Sequence, residues 1–549
     1  MLEARETIAM IAPDPTRTSP ARSPSNARLT LLIALVLFAL AAWPLLLVDL
    51  PPFQDLPNHV ATAQIVAHPD LYPQYIFNGL FKSNCLLTLW FHLFGDHGLF
   101  GAARAFTALV LAVNALALPL FVLRFTGRRA LPVATLFVWP LVHSFSVVMG
   151  FLNFAFAFAV ALMLLVVLDR QRERPTLPRA VGVAALSGLL WYAHPFPLMV
   201  VAGLVALHAA TRQTSRARLA AGLALLLPLA PALLLSLVSA QQHLIKAEHA
   251  TTQAAGTFSF LTPWEIAAHF WTDVSGALTR WGSVTLIPAL LLPMFAWKQR
   301  RVERQFLSLT AMVLLTIAYV GLPEMMSNWH YLNCRLVPFL WAGLALRLPT
   351  TLPRPVTIIL ALSAVLFSAV TGVDYARLDR DRAEFTAGID AVPQRATLLP
   401  LLFRHSKTSD FIASLTHAWG FYTVAKNTSA PLVFAVERSY PITYRDFPPL
   451  ALIPPALDRF AESRGTPAQV CKLLHETPGD AACTVIWRDL WNGFWREAEP
   501  RFSHVLTWAI PTDARLLIPA RYHRVFAAGD LEIYARDGAA RGPPHLETP

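Results

Sequence analysis

Leu29-Thr-Leu-Leu-Ile-Ala-Leu-Val-Leu-Phe-Ala-Leu-Ala-Ala-Trp-Pro-Leu-Leu-Leu-Val48 runs into Asp49-Leu-Pro-Pro-Phe-Gln-Asp-Leu-Pro-Asn-His59. The first stretch carries no charge and is long enough, as a helix, to cross a hydrocarbon core of about 30 Å. The second stretch is polar and proline-rich, so the chain leaves the bilayer there. It brings a carboxylate, Asp55, to the membrane edge, with His59 four residues further on.

The whole chain extends this pattern. It has 549 residues, of which 55% are hydrophobic and only 14% charged, and its mean hydropathy is +0.47. Soluble domains carry about 25% charged residues, so this composition belongs to an integral membrane protein. Apolar windows fall near 29–49, 98–123, 131–148, 151–168, 179–194, 196–211, 217–239, 284–297, 304–322, 335–348 and 355–373. The segment 83–94 is apolar but too short to span, and is read as interfacial or re-entrant. The first window exceeds the usual apolar core of a signal peptide, and no clear cleavage site follows it.

The formal net charge is +11, yet the basic residues form no single patch, which argues against nucleic acid as a partner. They sit in alternate loops: Arg5, Arg17, Arg22 and Arg28, then Arg124, Arg128 and Arg129, then Arg170, Arg172, Arg174 and Arg179. Arg212, Arg216 and Arg218 follow, then Lys298, Arg300, Arg301 and Arg304, and last Arg347 and Arg354. Cytoplasmic loops carry such excess. The expectation is an α-helical polytopic membrane protein of about eleven transmembrane helices, with its N-terminus in the cytoplasm and its C-terminus outside. Residues 1–28 form a disordered cytoplasmic tail, 29–373 the transmembrane domain with outer loops 50–97 and 240–283, and 374–549 an extracytoplasmic α/β domain. Within that domain the sequence predicts a helix at Tyr375 to Ala391 and another at Pro467–Glu476. Strands are expected at Thr397–Phe403, Leu432–Val436, Cys483–Trp487, His504–Trp508 and Leu531–Ala535.

All four cysteines fall on the expected outer side, where disulfides are permitted. Cys471–Cys483 and Cys85–Cys334 are the pairings the layout allows, with free buried thiols as the alternative.

Asp55 and His59, spaced i and i+4, would share one side of a short helix and form the candidate catalytic pair. Asp also caps helices and Pro suits a first turn, so a capping role stands beside the catalytic one. Other polar groups gather at the same edge: Arg104, His194, His330, Tyr331 and Arg335. Arginines on the outer side run against the charge rule. They either snorkel to lipid phosphates or bind the phosphate of a ligand, which arginine does bidentately. Trp264, Trp271 and Trp329 either belong to an interfacial aromatic belt or stack on sugar. His417-Ala-Trp-Gly-Phe-Tyr422 reads first as core packing of the tail domain, second as a docking element. No His, Cys or Asp spacing makes a metal site, so neither a metal nor another cofactor is expected.

With this layout the chain resembles a bacterial GT-C glycosyltransferase of the polyprenyl-phosphate-sugar-dependent, protein-mannosyltransferase-like kind. Gln54-Asp-Leu-Pro-Asn-His59 is similar to that family's acidic first-loop motif, and Gly101-Ala-Ala-Arg-Ala105 to the arginine-containing start of the next span. His330-Tyr-Leu-Asn-Cys-Arg-Leu-Val-Pro338 is similar to the Tyr/Arg…Pro element entering a late span. The resemblance implies a bacterial inner-membrane hexosyltransferase working on a lipid-linked sugar donor among membrane lipids. Transfer would be inverting, to a cell-envelope glycan, lipid or protein, with Asp55 as base and Arg104 and Arg335 on the donor phosphate. Many members pair two acids in this loop. Here the neighbours are Gln54 and Leu56, and the next acid is Asp70, which argues against the metal-dependent kinds. Two other classes fit the layout: a transporter or flippase, and a non-catalytic glycan-binding membrane protein. Transporters place ionisable groups at the bilayer midplane, whereas these sit at the rim. Oligomeric state leaves no signal in the sequence.

Overall fold

The structure, a computed structural model, describes residues 24–538 except 213–215, 248–257, 275, 297–305, 327–329, 436–439, 447 and 478–480. It is mainly helical, because an apolar chain in lipid must satisfy its backbone N–H and C=O groups within each segment. Five helical stretches are long and apolar enough to cross a membrane: Ala27–Leu47, Leu99–Thr126, Arg128–Val148, Leu152–Glu173 and Arg354–Ala391. Shorter apolar helices occupy Leu177–Ala193, Pro195–Thr211, Ala224–Ser239, Leu309–Gly321 and Cys334–Ala345, and Ile287–Ala296 falls in the remaining window. The first helix already begins at Pro24; the rest of the expected N-terminal tail lies outside the described residues.

Burial separates the centre of the bundle from its rim. Arg128–Val148 and Leu152–Glu173 have 89% and 83% of their apolar windows buried, against 28% for Ala27–Leu47 and 39% for Arg354–Ala391. The rim helices turn Leu31, Leu32, Leu35, Ile358, Ile359 and Leu362 outward. Apolar faces of that extent fit hydrocarbon rather than water. The segment expected to be interfacial forms the helix Leu86–Phe94, with Leu93 and Phe94 exposed.

The last span does not end at the membrane. Arg354–Thr386 is one 33-residue helix, so the stretch expected from Tyr375 as a separate tail helix is its continuation. It leads to a four-stranded sheet in which Leu398–Leu402 pairs in parallel with His504–Trp508. Leu531–Arg536 lies antiparallel on the far side of His504–Trp508, and Tyr522–Ala528 closes the edge. The first two strands are buried at every position, as a strand covered on both faces must be.

Two expected strands are absent. Cys483–Trp487 lies inside the helix Ala481–Ala498, whose buried residues Cys483, Trp487, Trp491, Phe494, Trp495 and Ala498 recur at helical spacing. An apolar run with few turn signals cannot distinguish the two states. Residues 432–435 form turns and irregular chain, and Val436 lies outside the described residues. The expected helix at Pro467–Glu476 is present as Pro467–Leu473, opened by a Thr466–Gln469 capping box.

The first outer loop packs into the tail domain. Its helix, Leu56–Ala67, lies against Gly420–Lys426. Its strand Tyr75–Phe77 pairs antiparallel with Ile442–Tyr444. Ala61, Ile65, Tyr72 and Tyr75 share one hydrophobic core with Leu399, Trp419, Leu432 and Trp491.

Cys471 and Cys483 form a disulfide across twelve positions of chain. Cys85 and Cys334 follow the alternative reading: both are buried thiols outside any disulfide. Closing a loop of this size stabilises by about 2–3 kcal/mol. The double substitution of Cys471 and Cys483 by Ser should therefore lower tail-domain stability by that order. Thiol titration of the unfolded, unreduced wild type should count two reactive thiols, and four after reduction.

Candidate active site at the seam between membrane and tail

Asp55 occupies the N-cap position of Leu56–Ala67, yet its side chain makes no capping hydrogen bond. The carboxylate turns instead toward the tail domain, where Oδ1 lies 3.5 Å from Nε2 of His417. Asp55 is 8% exposed and His417 5%. Two elements far apart in sequence thus place a carboxylate and an imidazole together inside a seam.

The backbone around Asp55 is held from three directions. Its N–H donates to the Met149 carbonyl at 3.0 Å, and that of Gln54 to Val148 at 3.2 Å. Gly150, at φ +88°, lets the chain pass so closely that a Cβ would meet Asp55 Cβ and N at 3.0 Å. From the last span, the buried guanidinium of Arg382 donates to the carbonyls of Leu50 at 2.8 Å, Pro51 at 2.9 Å and Phe53 at 3.1 Å. Prolines leave this segment with few N–H groups of its own, so an outside donor satisfies the buried carbonyls. Gln54, at the position where a second acid was considered, accepts from the Ala413 N–H of the tail at 2.8 Å.

Asn58, fully buried, knits the other side. Phe434 N–H donates to its Oδ1 at 3.3 Å, and its Nδ2 donates to the Leu432 carbonyl at 3.0 Å. The same Nδ2 meets His417 Nδ1 at 3.3 Å. Gly420 fixes the approach of the two helices: a Cβ there would sit 2.4 Å from the Pro57 carbonyl oxygen.

His59 stands edge-on to Phe434 at 5.9 Å, and His417 does so at 5.1 Å. Tyr440 stacks on Phe434 from the other side at 5.7 Å. Burial holds His59 below the usual histidine range, outweighing the upward pull of Asp55, and His417 adds to the lowering; the ring is neutral at pH 7. On the tail side, burial also lowers His405, and Glu462 offsets part of that. Asp458 is pushed up to about 6 by burial.

Arg335 closes the membrane side. It is 9% exposed, donates to His194 Nε2 at 2.7 Å and to the His330 carbonyl at 3.4 Å, and lies over the rings of Phe151 and Phe154. Asp55 is within its electrostatic reach. Among the described residues no carboxylate forms an ion pair with Arg335. Tyr331, at φ 56°, packs its ring against Phe145 and Phe151. Five of the sequence candidates, Asp55, His59, His194, Tyr331 and Arg335, therefore belong to one neighbourhood, and His330 joins it through its backbone carbonyl. Arg104 donates to the Val48 carbonyl at 3.2 Å, which holds the end of the first span; no described interaction ties it to Asp55. Trp329 and the side chain of Trp271 lie outside the described residues. Trp264 is 81% exposed at the rim of the other long loop, as an interfacial aromatic would be. His417 and Asn58 are the residues the sequence reading did not assign to the site. The histidine was visible in its aromatic cluster, but nothing local linked it to Asp55.

Among the described residues no group of three or more His, Cys, Asp or Glu is placed to hold a metal ion. No protein-family model matches the chain, and no curated protein does. Two solved structures are similar to it over 94% of its length and 99% of theirs, both of ArnT from Cupriavidus metallidurans. One is bound to undecaprenyl phosphate, with 13% identity and a TM-score of 0.49. The other is in the apo state, with 14% identity and the same TM-score of 0.49.

The frame around Asp55 depends on Arg382. Replacing it by Met strands buried carbonyls, each costing about 1–3 kcal/mol. Arg382→Met should lower stability by roughly 3 kcal/mol or more, read as an earlier melting transition in detergent. Arg380→Met, about half a turn away on the exposed face, should melt with the wild type.

Proposed function

We propose that this protein is a membrane glycosyltransferase that moves a sugar from a polyprenyl-phosphate donor to an acceptor outside the cytoplasm. The observation that carries the reading is the pairing of roles at one seam. A buried carboxylate and a buried guanidinium face the same region without neutralising each other.

Such a site suits displacement at an anomeric carbon. Asp55 takes the proton of an acceptor hydroxyl or amine, the freed oxygen or nitrogen bonds to C1 of the sugar, and the C1–O bond to phosphate breaks. The lipid phosphate departs with one more negative charge than it had in the donor. Arg335, with no carboxylate ion-paired to it among the described residues, is the group to stabilise that charge. Its neutral partner His194 orients the guanidinium without cancelling it. In-line attack of this kind inverts the anomeric centre. The apolar rings of Phe151 and Phe154 beneath Arg335 keep water from its face, and a drier site strengthens the attraction for phosphate. The exposed lipid-like rim of the bundle and the seam beside it are where a polyprenyl chain and its headgroup would meet. The alternation of basic loops along the sequence supports an outer, periplasmic side for this seam in a bacterial inner membrane.

Membranes containing the protein, given a panel of labelled polyprenyl-phosphate sugars, should transfer label from one of them. Asp55→Asn should lower that rate by about 100-fold or more, the range for a general base. Arg335→Gln should lower kcat by about 100-fold. Undiminished transfer in Asp55→Asn, with the variant folded and inserted, would sink the assignment of the base.

A further inference from the structure

We infer that the tail domain contributes a positioning residue to this site: His417, set by Asn58 in its Nε2–H form, orients the Asp55 carboxylate. This rests on the role of Asp55 proposed above.

The argument runs through one amide. Side-chain oxygen and nitrogen of Asn58 are told apart by their backbone partners, since the Phe434 N–H can only donate and the Leu432 carbonyl can only accept. The group that meets His417 Nδ1 at 3.3 Å is therefore the NH2. Nδ1 must accept from it, and in a neutral ring the proton then sits on Nε2. Nε2 is the atom that faces Asp55 Oδ1, at 3.5 Å. Hydrogen bonds of this sort are often long before substrate binds. The ring has little freedom to turn away: it is buried, edge-on to Phe434 at 5.1 Å and to Trp419 at 6.4 Å. Gln54 and Gly420 clamp the same two elements on either side.

His417 takes no proton in this scheme. It holds one carboxylate oxygen, so that the other is presented to the acceptor, whose proton moves to Asp55 while the imidazole stays neutral. The consequence is that the membrane bundle alone lacks a complete site. A group carried on the tail, 362 positions from Asp55 in sequence, sets the geometry of the base.

The test uses the full-length protein in membranes and in detergent. His417→Ala should lower kcat by ~10- to 100-fold with the donor KM nearly unchanged, as expected of lost orientation. His417→Gln, whose amide can place an N–H where Nε2 stood, should restore most of it. Asp55→Asn combined with His417→Ala should be no slower than Asp55→Asn alone, because the two act as one unit. Independently of activity, 15N spectra of histidine-labelled protein, with His417→Gln identifying the resonance, should show the Nε2–H form. A wild-type kcat in His417→Ala, or an Nδ1–H ring, would overturn the inference while leaving Asp55 as base. An Nε2–H ring in a protein that transfers sugar from no donor would instead overturn the glycosyltransferase reading and, with it, the role of His417.

Discussion

The side-chain amide of Asn58 is fully buried and directs its hydrogen bonds across the boundary between the membrane bundle and the tail. An amide left unpaired in such a place costs about 1–3 kcal/mol. The first-loop helix and the 432–434 segment must therefore arrive together, or neither is satisfied. That condition makes the loop after the first span part of the tail's core rather than a tether on the surface. Every other feature of the site follows from this docking. The helix sets Asp55 at its start, the tail brings His417 to it, and Phe434 supplies the ring against which both histidines rest.

Docking alone would not place a carboxylate to a fraction of an ångström. The segment 50–55 is too rich in proline to hold itself by its own ladder, so it borrows partners from the last span and from the 148–150 turn. Arg382 reaches from the last span to Leu50, Pro51 and Phe53, and the 148–150 turn receives the N–H groups of Gln54 and Asp55. Because Arg382 lies on the unbroken helix Arg354–Thr386, which runs on into the tail, bundle and sheet are registered to the same rod. A rigid frame of this kind suits a group whose reactivity depends on direction.

The sequence made the bundle legible because its signals are local. A spanning helix announces itself by twenty apolar residues, and each of the eleven windows overlaps a helix among the described residues, five of them long enough to cross a membrane. Asp55 stands out as a candidate for a similar reason: it is a charged residue just beyond a span, with helix capping as its other reading. The seam was not legible. Asn58 and His417 are 359 positions apart, and a single sequence records nothing about such a meeting. His417-Ala-Trp-Gly-Phe-Tyr422 reads in sequence as packing, which it is, and nothing local marks Gly420. Its significance lies in the Pro57 carbonyl that would collide with any larger residue. The helix Ala481–Ala498 was mistaken for strand at its start because Cys, Thr, Val and Ile in sequence look like sheet, while the tryptophans that bury its face came only afterwards. Cys85 and Cys334 were grouped by the expected topology alone, and such grouping says nothing about whether two thiols meet.

The arginines of this protein separate structural charge from charge left for other work. Arg124 meets Asp169 at 2.5 Å and Glu173 at 2.6 Å, and Arg172 meets Asp169 at 2.6 Å. Those cations are cancelled where they stand and lock the ends of two spans. Arg382, by contrast, has no carboxylate in contact among the described residues, and its hydrogen bonds go to three carbonyls of one loop, which leaves little room for a ligand. Arg335 differs from both. It is buried, yet its contacts are an imidazole, a single long carbonyl bond and two aromatic faces. Burying a guanidinium is costly unless an anion compensates it, and no carboxylate of the described residues does so. Under the function proposed above, a phosphate headgroup would supply that compensation. Asp55, near enough to feel Arg335 but facing His417 Nε2 at 3.5 Å instead, would keep the proposed base and the proposed phosphate holder from quenching each other.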